Sequence, residues 1–143
     1  MENSPTSTLV VAAAVLDGKG RALMHRRPPG SHHAGLWEFP GGKVEAGETP
    51  EEALCREMAE EASLVLDPAS LAPAGFASGE GAGHRLVILL YTCTRWTGEP
   101  DPLEGGELDW FTPAEAQGLN LSPLDRSLLA GLWRLRGDGL RPV

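Results

Sequence analysis

The apolar positions of the chain fall into short blocks separated by turn residues. Leu9 to Leu16 is an unbroken apolar run, which is typical of a buried strand. The turn Asp17 to Gly20 follows, and Arg21 to Arg26 predicts a partner strand that completes a hairpin. The next segment, Arg27 to Leu36, is rich in proline, glycine and histidine and is expected to be a loop.

The clearest predicted helix begins at Thr49. Thr49 can serve as the N-cap, Pro50 suits the first helical position, and Glu52 completes a capping box. Apolar residues spaced by four then form a core-facing stripe: Leu54, Met58 and Ala62. The helix is expected to end near Ser63.

The second half of the chain predicts shorter elements. Strands are expected at Leu71 to Ser78, Arg85 to Thr94 and Glu107 to Phe111, with a glycine-rich turn at Gly79 to Gly83, a helical turn at Pro113 to Gln117 and a final helix from Ser122 to about Arg136. Helices interspersed with strands indicate an α/β sandwich with a mixed sheet.

Length and composition favour a single soluble domain. The 143 residues suit one domain over residues 8–143, preceded by a mobile tail at residues 1–7. No apolar run approaches the ~18 residues that a membrane span requires. The two cysteines, Cys55 and Cys93, lack metal-ligand spacing, and the start lacks a signal-peptide pattern, so we expect free thiols and a cytoplasmic protein.

The formal net charge of −8 bears on possible partners. It offers no general basic surface for a nucleic acid polymer. A polyphosphate substrate would need divalent cations to bridge its charge to the carboxylates of the protein. We expect neither a polymeric nucleic acid nor a membrane as partner, and a monomeric chain.

Three glutamates of the Thr49 helix carry the most specific chemistry. Glu57, Glu60 and Glu61 share one side of the helix, near its C-terminus, where the helix dipole disfavours negative charge. Clustered carboxylates are ligands for hard divalent cations, and the preceding Gly41-Gly42 pair allows a backbone carbonyl to approach closely. The alternative interpretation is a solvated acidic helix face behind an ordinary glycine loop.

The spacing of this segment favours the metal site. A glycine is separated by five residues from a glutamate, and seven further residues separate that glutamate from the sequence Arg-Glu-apolar-x-Glu-Glu. The residues that match this pattern are Gly42, Glu48, Arg56, Glu57, Met58, Glu60 and Glu61. This pattern resembles the Nudix box, a long and specific motif. Ser63 stands where the family has a glycine that caps the helix, a departure that concerns local geometry more than chemistry.

Further positions resemble the MutT branch of the Nudix family. They are the segment Leu36 to Lys43, the Arg26-Arg27 pair with His32, Glu104 six residues before Trp110, and the Pro123-x-Asp125 step. The resemblance covers about Val10 to Leu135. It implies a Nudix-type α/β/α sandwich with a mixed sheet.

The resemblance also implies roles for individual residues. Mg²⁺, with Mn²⁺ as a substitute, would be held by the Gly41 carbonyl, Glu57, Glu60, Glu61 and Glu104. The catalytic group would comprise Glu57, Glu104 and Arg56, which would orient a glutamate; either Glu104 or a box glutamate would take the proton of the attacking water. Substrate contacts would come from Arg27, His32, Glu38, Phe39 and Asp125. Glu48 is expected to be structural.

The implied activity is cleavage of a nucleoside triphosphate into monophosphate and pyrophosphate, with 8-oxo-dGTP as the preferred substrate. CTP or dCTP, or another nucleoside diphosphate-linked compound, is the alternative. A non-enzymatic Nudix ligand sensor is a further hypothesis, which the intact set of box glutamates disfavours.

Asp125 makes the base uncertain, because MutT has asparagine at this step. An ionised aspartate only accepts hydrogen bonds, which suits the amino group of cytosine. It would repel O6 of 8-oxoguanine unless a raised pKa kept it protonated. A structural interpretation is also available, in which Ser122 and Asp125 form the capping box of the final helix.

Overall fold

The structure is a computed structural model that describes residues 6–81 and 83–135. Most of the expected tail at residues 1–7, and the expected helix end at Arg136, lie outside these residues. The strands are Thr8–Val15 (β1), Ala22–Arg26 (β2), Trp37–Glu38 (β3), Gly41–Lys43 (β4), Val65–Leu66 (β5), Ala72–Gly81 (β6), His84–Cys93 (β7), Trp96–Thr97 (β8) and Glu107–Phe111 (β9). The α-helices are Pro50–Ala62 (α1), Pro113–Gln117 (α2) and Pro123–Leu135 (α3), and a 3₁₀ turn spans Pro68–Ser70.

Strand β1 is the centre of the fold. It lies inside a four-stranded sheet of order β4-β1-β7-β6, parallel to β7 and antiparallel to β4, so this sheet is mixed as predicted. Because side chains alternate along a strand, Val11, Ala13 and Val15 face a core that includes residues of α1. Ala12, Ala14 and Leu16 face a second core that includes residues of α3. The unbroken apolar run at the start of the chain therefore reflects burial on both faces of an α/β/α sandwich.

The predicted hairpin between the first two strands is wrong. Both edges of β1 are occupied by β4 and β7, and the Leu16 amide continues this ladder by donating to Cys93 O at 2.9 Å. An isolated bridge between Leu16 and Ala22, with the Asp17 amide donating to Arg21 O at 3.0 Å beside it, connects the two segments. Strand β2 instead joins a three-stranded sheet of order β3-β2-β9.

Most other elements lie where the sequence predicts them. The segment 27–36 is a loop, β9 and α2 have the predicted bounds, and β7 differs from prediction by one residue at each end. Strand β6 is longer than expected, because Gly79 to Gly81 pair with β7 rather than forming part of the turn. Gly79 packs against Leu124 of α3 at this point.

Helix α1 has the predicted caps. The Thr49 side chain accepts from the Glu52 amide at 3.1 Å, and the Glu52 carboxylate accepts from the Thr49 amide at 2.9 Å. The predicted stripe is fully buried: Leu54, Met58 and Ala62 are each 0% exposed. The helix ends at Ser63, which adopts the left-handed conformation with φ 63°.

The two cysteines are free thiols, as expected, with Cys93 buried and Cys55 half-buried. Among the residues that the structure describes, no helix combines the length and apolarity needed to cross a bilayer.

Replacement of Ser63 by glycine is expected to stabilise the protein. A left-handed conformation is strained for serine and unstrained for glycine. The free energy gained by removing this strain exceeds the cost of the conformational entropy that glycine adds to the unfolded chain. We expect Ser63→Gly to raise the free energy of unfolding by about 0.5–1 kcal/mol in urea denaturation. Ser63→Ala keeps the strain and is the control; an equal rise in both variants would contradict this account.

Candidate metal and nucleotide site

Arg56 organises the carboxylates of helix α1. Its Nε and Nη2 contact the Glu48 carboxylate at 2.6 and 3.0 Å, and Nη1 contacts Glu57 at 3.1 Å and Glu60 at 3.2 Å. Nη2 also donates to the Lys43 carbonyl at 3.0 Å. The Arg56 guanidinium lowers the pKa of Glu48, and the Glu48 carboxylate raises the pKa of Arg56. Glu48 thus has the expected structural position, and Arg56 fixes the helix against the glycine loop.

The glycine pair allows the loop to approach the helix. A side chain at Gly42 would overlap the Glu57 carboxyl group, and one at Gly41 would overlap the Val11 carbonyl of β1. Gly41 and Gly42 pair with Ala12 and Val11, and the Ala13 amide donates to Pro40 O at 2.9 Å. The glycine loop is therefore held between the central strand and the acidic face of α1.

Three glutamates meet at the C-terminal end of α1. Burial raises the pKa of Glu57 against the opposing effect of Arg56, and the charges of Glu60 and Glu104 raise it further. Burial likewise raises the pKa of Glu61, which is 7% exposed, with added repulsion from Glu57 and Glu104. Glu60 lies further out, with its side chain 53% exposed. This excess of negative charge suits a divalent cation.

The loop that carries Glu104 is docked onto the end of α1. The Asp101 amide donates to Ala62 O at 2.9 Å, and the Leu103 amide donates to Glu61 O at 3.0 Å. These bonds satisfy carbonyls that the helix itself leaves unpaired. They bring the exposed Glu104, distant in sequence, into electrostatic range of Glu57 and Glu61.

His25 is a member of the cluster that the sequence analysis did not select. It is 6% exposed, and its Nδ1 lies 3.2 Å from Glu38 Oε2 and 3.4 Å from Glu61 Oε1. Its Nε2 lies 3.1 Å from the Gly105 carbonyl oxygen. Burial opposes protonation, but the hydrogen bonds and charges of Glu38 and Glu61 raise the pKa of His25 overall. One sequence signal was available: His25 lies in the apolar segment of β2.

A cleft of about 380 Å³ lies beside the carboxylates and contains all the predicted substrate residues. Its wall includes Arg27, His32, Glu38, Phe39 and Asp125, together with Gly41 and Gly42. Arg27 contacts Glu38 at 3.4 Å and donates through Nε to the His32 backbone carbonyl. A wider surface depression of about 560 Å³ at β5 and β8 has none of these residues in its lining.

Asp125 lies in the inner wall of the cleft, 5% exposed. Its Oδ1 accepts from the Phe39 amide at 2.9 Å, while the Ser122 amide donates to Trp37 O at 3.0 Å. Asp125 also shares a side-chain hydrogen bond with Ser122, but the predicted reciprocal capping box is wrong, because the Ser122 amide is bonded to Trp37 O and not to the Asp125 carboxyl. Burial raises the pKa of Asp125 to about 7 despite the Phe39 hydrogen bond, and the nearby Glu38 charge adds to the rise.

Clustered carboxylates beside a glycine loop and a cleft are the features of a metal-dependent hydrolase of phosphate compounds, and sequence comparison agrees. Residues 6–132 match the NUDIX domain, and the chain belongs to the Nudix hydrolase family. The "Putative 8-oxo-dGTP diphosphatase 2" of Mycobacterium tuberculosis is 38% identical over 88% of each chain. The "CTP pyrophosphohydrolase" of Escherichia coli is 33% identical over 88% of this chain and 92% of its own length.

Solved structures agree on the fold. The E. coli ORF135 protein superimposes with a TM-score of 0.82 at 32% identity, covering 93% of each chain. The MutT NUDIX hydrolase of Burkholderia pseudomallei gives 0.79 at 28% identity, covering 89% of this chain and 98% of its own. The predicted family and the α/β sandwich with a mixed sheet are thereby confirmed.

Replacement of Gly42 by alanine is expected to displace Glu57. The added methyl group overlaps the Glu57 carboxyl, which must move away from the loop. We expect the kcat of Gly42→Ala to be lower than that of the native protein by about tenfold or more, because a displaced catalytic group loses its alignment with the substrate. The circular dichroism spectrum of the variant should remain that of the native protein. Gly18→Ala makes the same change where no atom lies within 4 Å and is the matched control. Equal activity of the two variants would contradict the proposed importance of this contact.

Proposed function

We propose that this chain is a divalent-metal-dependent nucleoside triphosphate pyrophosphohydrolase that releases nucleoside monophosphate and pyrophosphate. The observation that supports it most is the electrostatic proximity of Glu57, Glu61 and Glu104 on one side of a glycine loop whose Gly42 also lines the cleft of Asp125. The proposal includes a monomeric enzyme acting in the cytoplasm, in keeping with its free thiols.

The residues fit a magnesium site. The carboxylates of Glu57, Glu60, Glu61 and Glu104 and the Gly41 carbonyl would hold the ions, because crowded, partly buried carboxylates need a cation. Bound Mg²⁺ would neutralise phosphate charge and acidify a water molecule. Mn²⁺ would substitute.

The other residues act around this centre. Arg56 is a positioning residue that holds Glu57 and Glu60 at 3.1 and 3.2 Å, and charge-assisted bonds of this kind fix a carboxylate well. Arg27 and His32 would contact the phosphates at the cleft wall. Glu104, or a box glutamate, would accept the proton of the attacking water, since a carboxylate within hydrogen-bond reach of a metal-bound water can act as its general base.

Asp125 and Phe39 would receive the base. A protonated Asp125 can donate to O6 of 8-oxoguanine while it accepts from N7–H, which an ionised carboxylate cannot do. Its pKa of about 7 leaves much of the carboxyl protonated near neutral pH. Together with the names of the M. tuberculosis relative and other relatives, this favours 8-oxo-dGTP as the substrate.

CTP or dCTP is the second candidate. The ionised form of Asp125 is a good acceptor for the cytosine amino group, and the E. coli relative carries a CTP pyrophosphohydrolase name. Both candidates thus use the same carboxyl group in different protonation states.

A nucleotide panel tests the proposed reaction. With Mg²⁺ we expect hydrolysis of 8-oxo-dGTP above dGTP and dATP, with CTP and dCTP next, and pyrophosphate rather than phosphate as product. EDTA should abolish turnover and added Mg²⁺ or Mn²⁺ should restore it. Glu57→Gln should lower kcat by at least ~100-fold, the usual effect of losing a transition-state contact. Full turnover in EDTA, or no turnover of any nucleotide, would refute the proposal.

The protonation of Asp125 predicts a pH-dependent substrate preference. As the pH rises from 6 to 8 through the pKa of about 7, Asp125 loses the proton that it would donate to 8-oxoguanine. The ratio of kcat/KM for 8-oxo-dGTP to that for dCTP should therefore fall with rising pH. Asp125→Asn keeps a donor at every pH, so its ratio should be higher and flatter.

Stability provides an independent control for Asp125. The pKa of Asp125 is 3.8 in the unfolded chain and about 7 in the folded protein, so between these pH values the carboxyl is protonated mainly in the folded state. The contribution of Asp125 to the free energy of unfolding therefore decreases as the pH rises across that range. The Asn variant lacks this decrease. If Asp125→Asn changes kcat/KM equally for every nucleotide and lowers the Tm, Asp125 is structural and the base assignment fails.

A further inference from the structure

The imidazole of His25 has a defined orientation within the cluster. Its Nε2 lies 3.1 Å from the Gly105 carbonyl oxygen. A carbonyl only accepts hydrogen bonds, so Nε2 carries a proton in every ionisation state of this ring. The other nitrogen, Nδ1, therefore faces Glu38 Oε2 at 3.2 Å and Glu61 Oε1 at 3.4 Å.

The two carboxylates that face His25 Nδ1 need a compensating positive charge, which a proton on Nδ1 or a bound cation would supply. His25 and Glu61 are 6% and 7% exposed, and buried carboxylates are unstable without compensation. Arg56 is engaged by Glu48, Glu57 and Glu60. Arg27 contacts only the Glu38 side of the cluster, at 3.4 Å. Glu57 and Glu104 add further negative charge around Glu61.

We propose that His25 Nδ1, Glu38 and Glu61 form a binding site for a first-row transition ion, with Co²⁺, Mn²⁺ and Zn²⁺ as the ions it suits. The site shares Glu61 with the carboxylates that would hold magnesium and adds a nitrogen ligand to them. The Gly105 carbonyl orients the imidazole from behind, as outer-shell partners do at histidine–metal sites.

Distances and ligand types support this assignment. The three ligand atoms lie within 4.8 Å of one another, close enough for one ion to reach all three. Metal–ligand bonds of about 2.0–2.2 Å place neighbouring ligand atoms about 3–3.5 Å apart. Mixed nitrogen and oxygen ligands favour transition ions over Mg²⁺, which prefers oxygen alone.

Metal binding without nucleotide tests the site. The full chain, free of any histidine tag and stripped of metal, is titrated with Co²⁺ and with Mg²⁺ by calorimetry. We expect His25→Gln to weaken Co²⁺ binding by about tenfold or more and to leave Mg²⁺ binding nearly unchanged. His33→Gln removes an exposed imidazole from the neighbouring loop and is the matched control, with both affinities as in the native protein.

Crystallography with Co²⁺ locates the ion. Anomalous density within about 2.0–2.3 Å of His25 Nδ1 is expected. The proposal would be overturned by anomalous density confined to Glu57 and Glu60, or by a Co²⁺ affinity of His25→Gln equal to that of the native protein. In either case Nδ1 would carry a proton and not a metal ion.

Glu38→Gln provides a second variant, because it removes a ligand at the partly exposed end of the cluster. It should weaken Co²⁺ binding in the same way, and an unchanged affinity would overturn the proposal even if His25→Gln fails to fold. Since no nucleotide is present, this test and the nucleotide panel can fail independently.

Discussion

The mutual repulsion of carboxylates around the end of helix α1 is the constraint on which the rest of the site depends. Glu57 and Glu61 are drawn into the interior, and Glu104 is brought to them by the loop that caps the helix. Arg56 offsets part of this charge, but it is shared among Glu48, Glu57 and Glu60. A protein built only for stability would avoid this arrangement. The proposed cation would compensate this charge and that of a polyphosphate substrate.

Local sequence rules predicted what depends on local interactions. The caps and buried stripe of α1 follow from Thr49, Pro50 and the spacing of apolar residues, because each contact lies within one or two helical turns. The regular spacing of the box likewise predicted that Glu57, Glu60 and Glu61 would lie together. The pairing of β2 could not be predicted in this way. It depends on the competition of β4 and β7 for the edges of β1, which involves residues far apart in sequence.

The same distinction applies within the site. Glu104 was selected only through the family resemblance, since nothing local to its loop indicates a role. His25 was not selected because a single histidine in an apolar strand is a weak signal, and its partners are 13, 36 and 80 residues away. Asp125 was predicted at the right place but without its partner on the strand segment. The helix-start pattern paired it with Ser122, which does share a side-chain hydrogen bond with it, whereas the bond from the Phe39 amide comes from a segment 86 residues earlier.

The attachment of the glycine loop to the central strand has a consequence for local opening. The Ala13 amide is bonded to Pro40 O and the Val44 amide to Leu9 O, so both ends of the loop belong to the ladder of β1. Strand β1 is buried on both faces, and such strands open only when the whole molecule unfolds. The loop on one side of the site therefore shares the slowest hydrogen exchange of the molecule. The Glu104 loop is attached to the rest of the molecule by fewer bonds: the Asp101 and Leu103 amides donate to Ala62 O and Glu61 O, and His25 Nε2 contacts the Gly105 carbonyl. The backbone amides of the glycine loop are accordingly expected to exchange more slowly than those of the Glu104 loop.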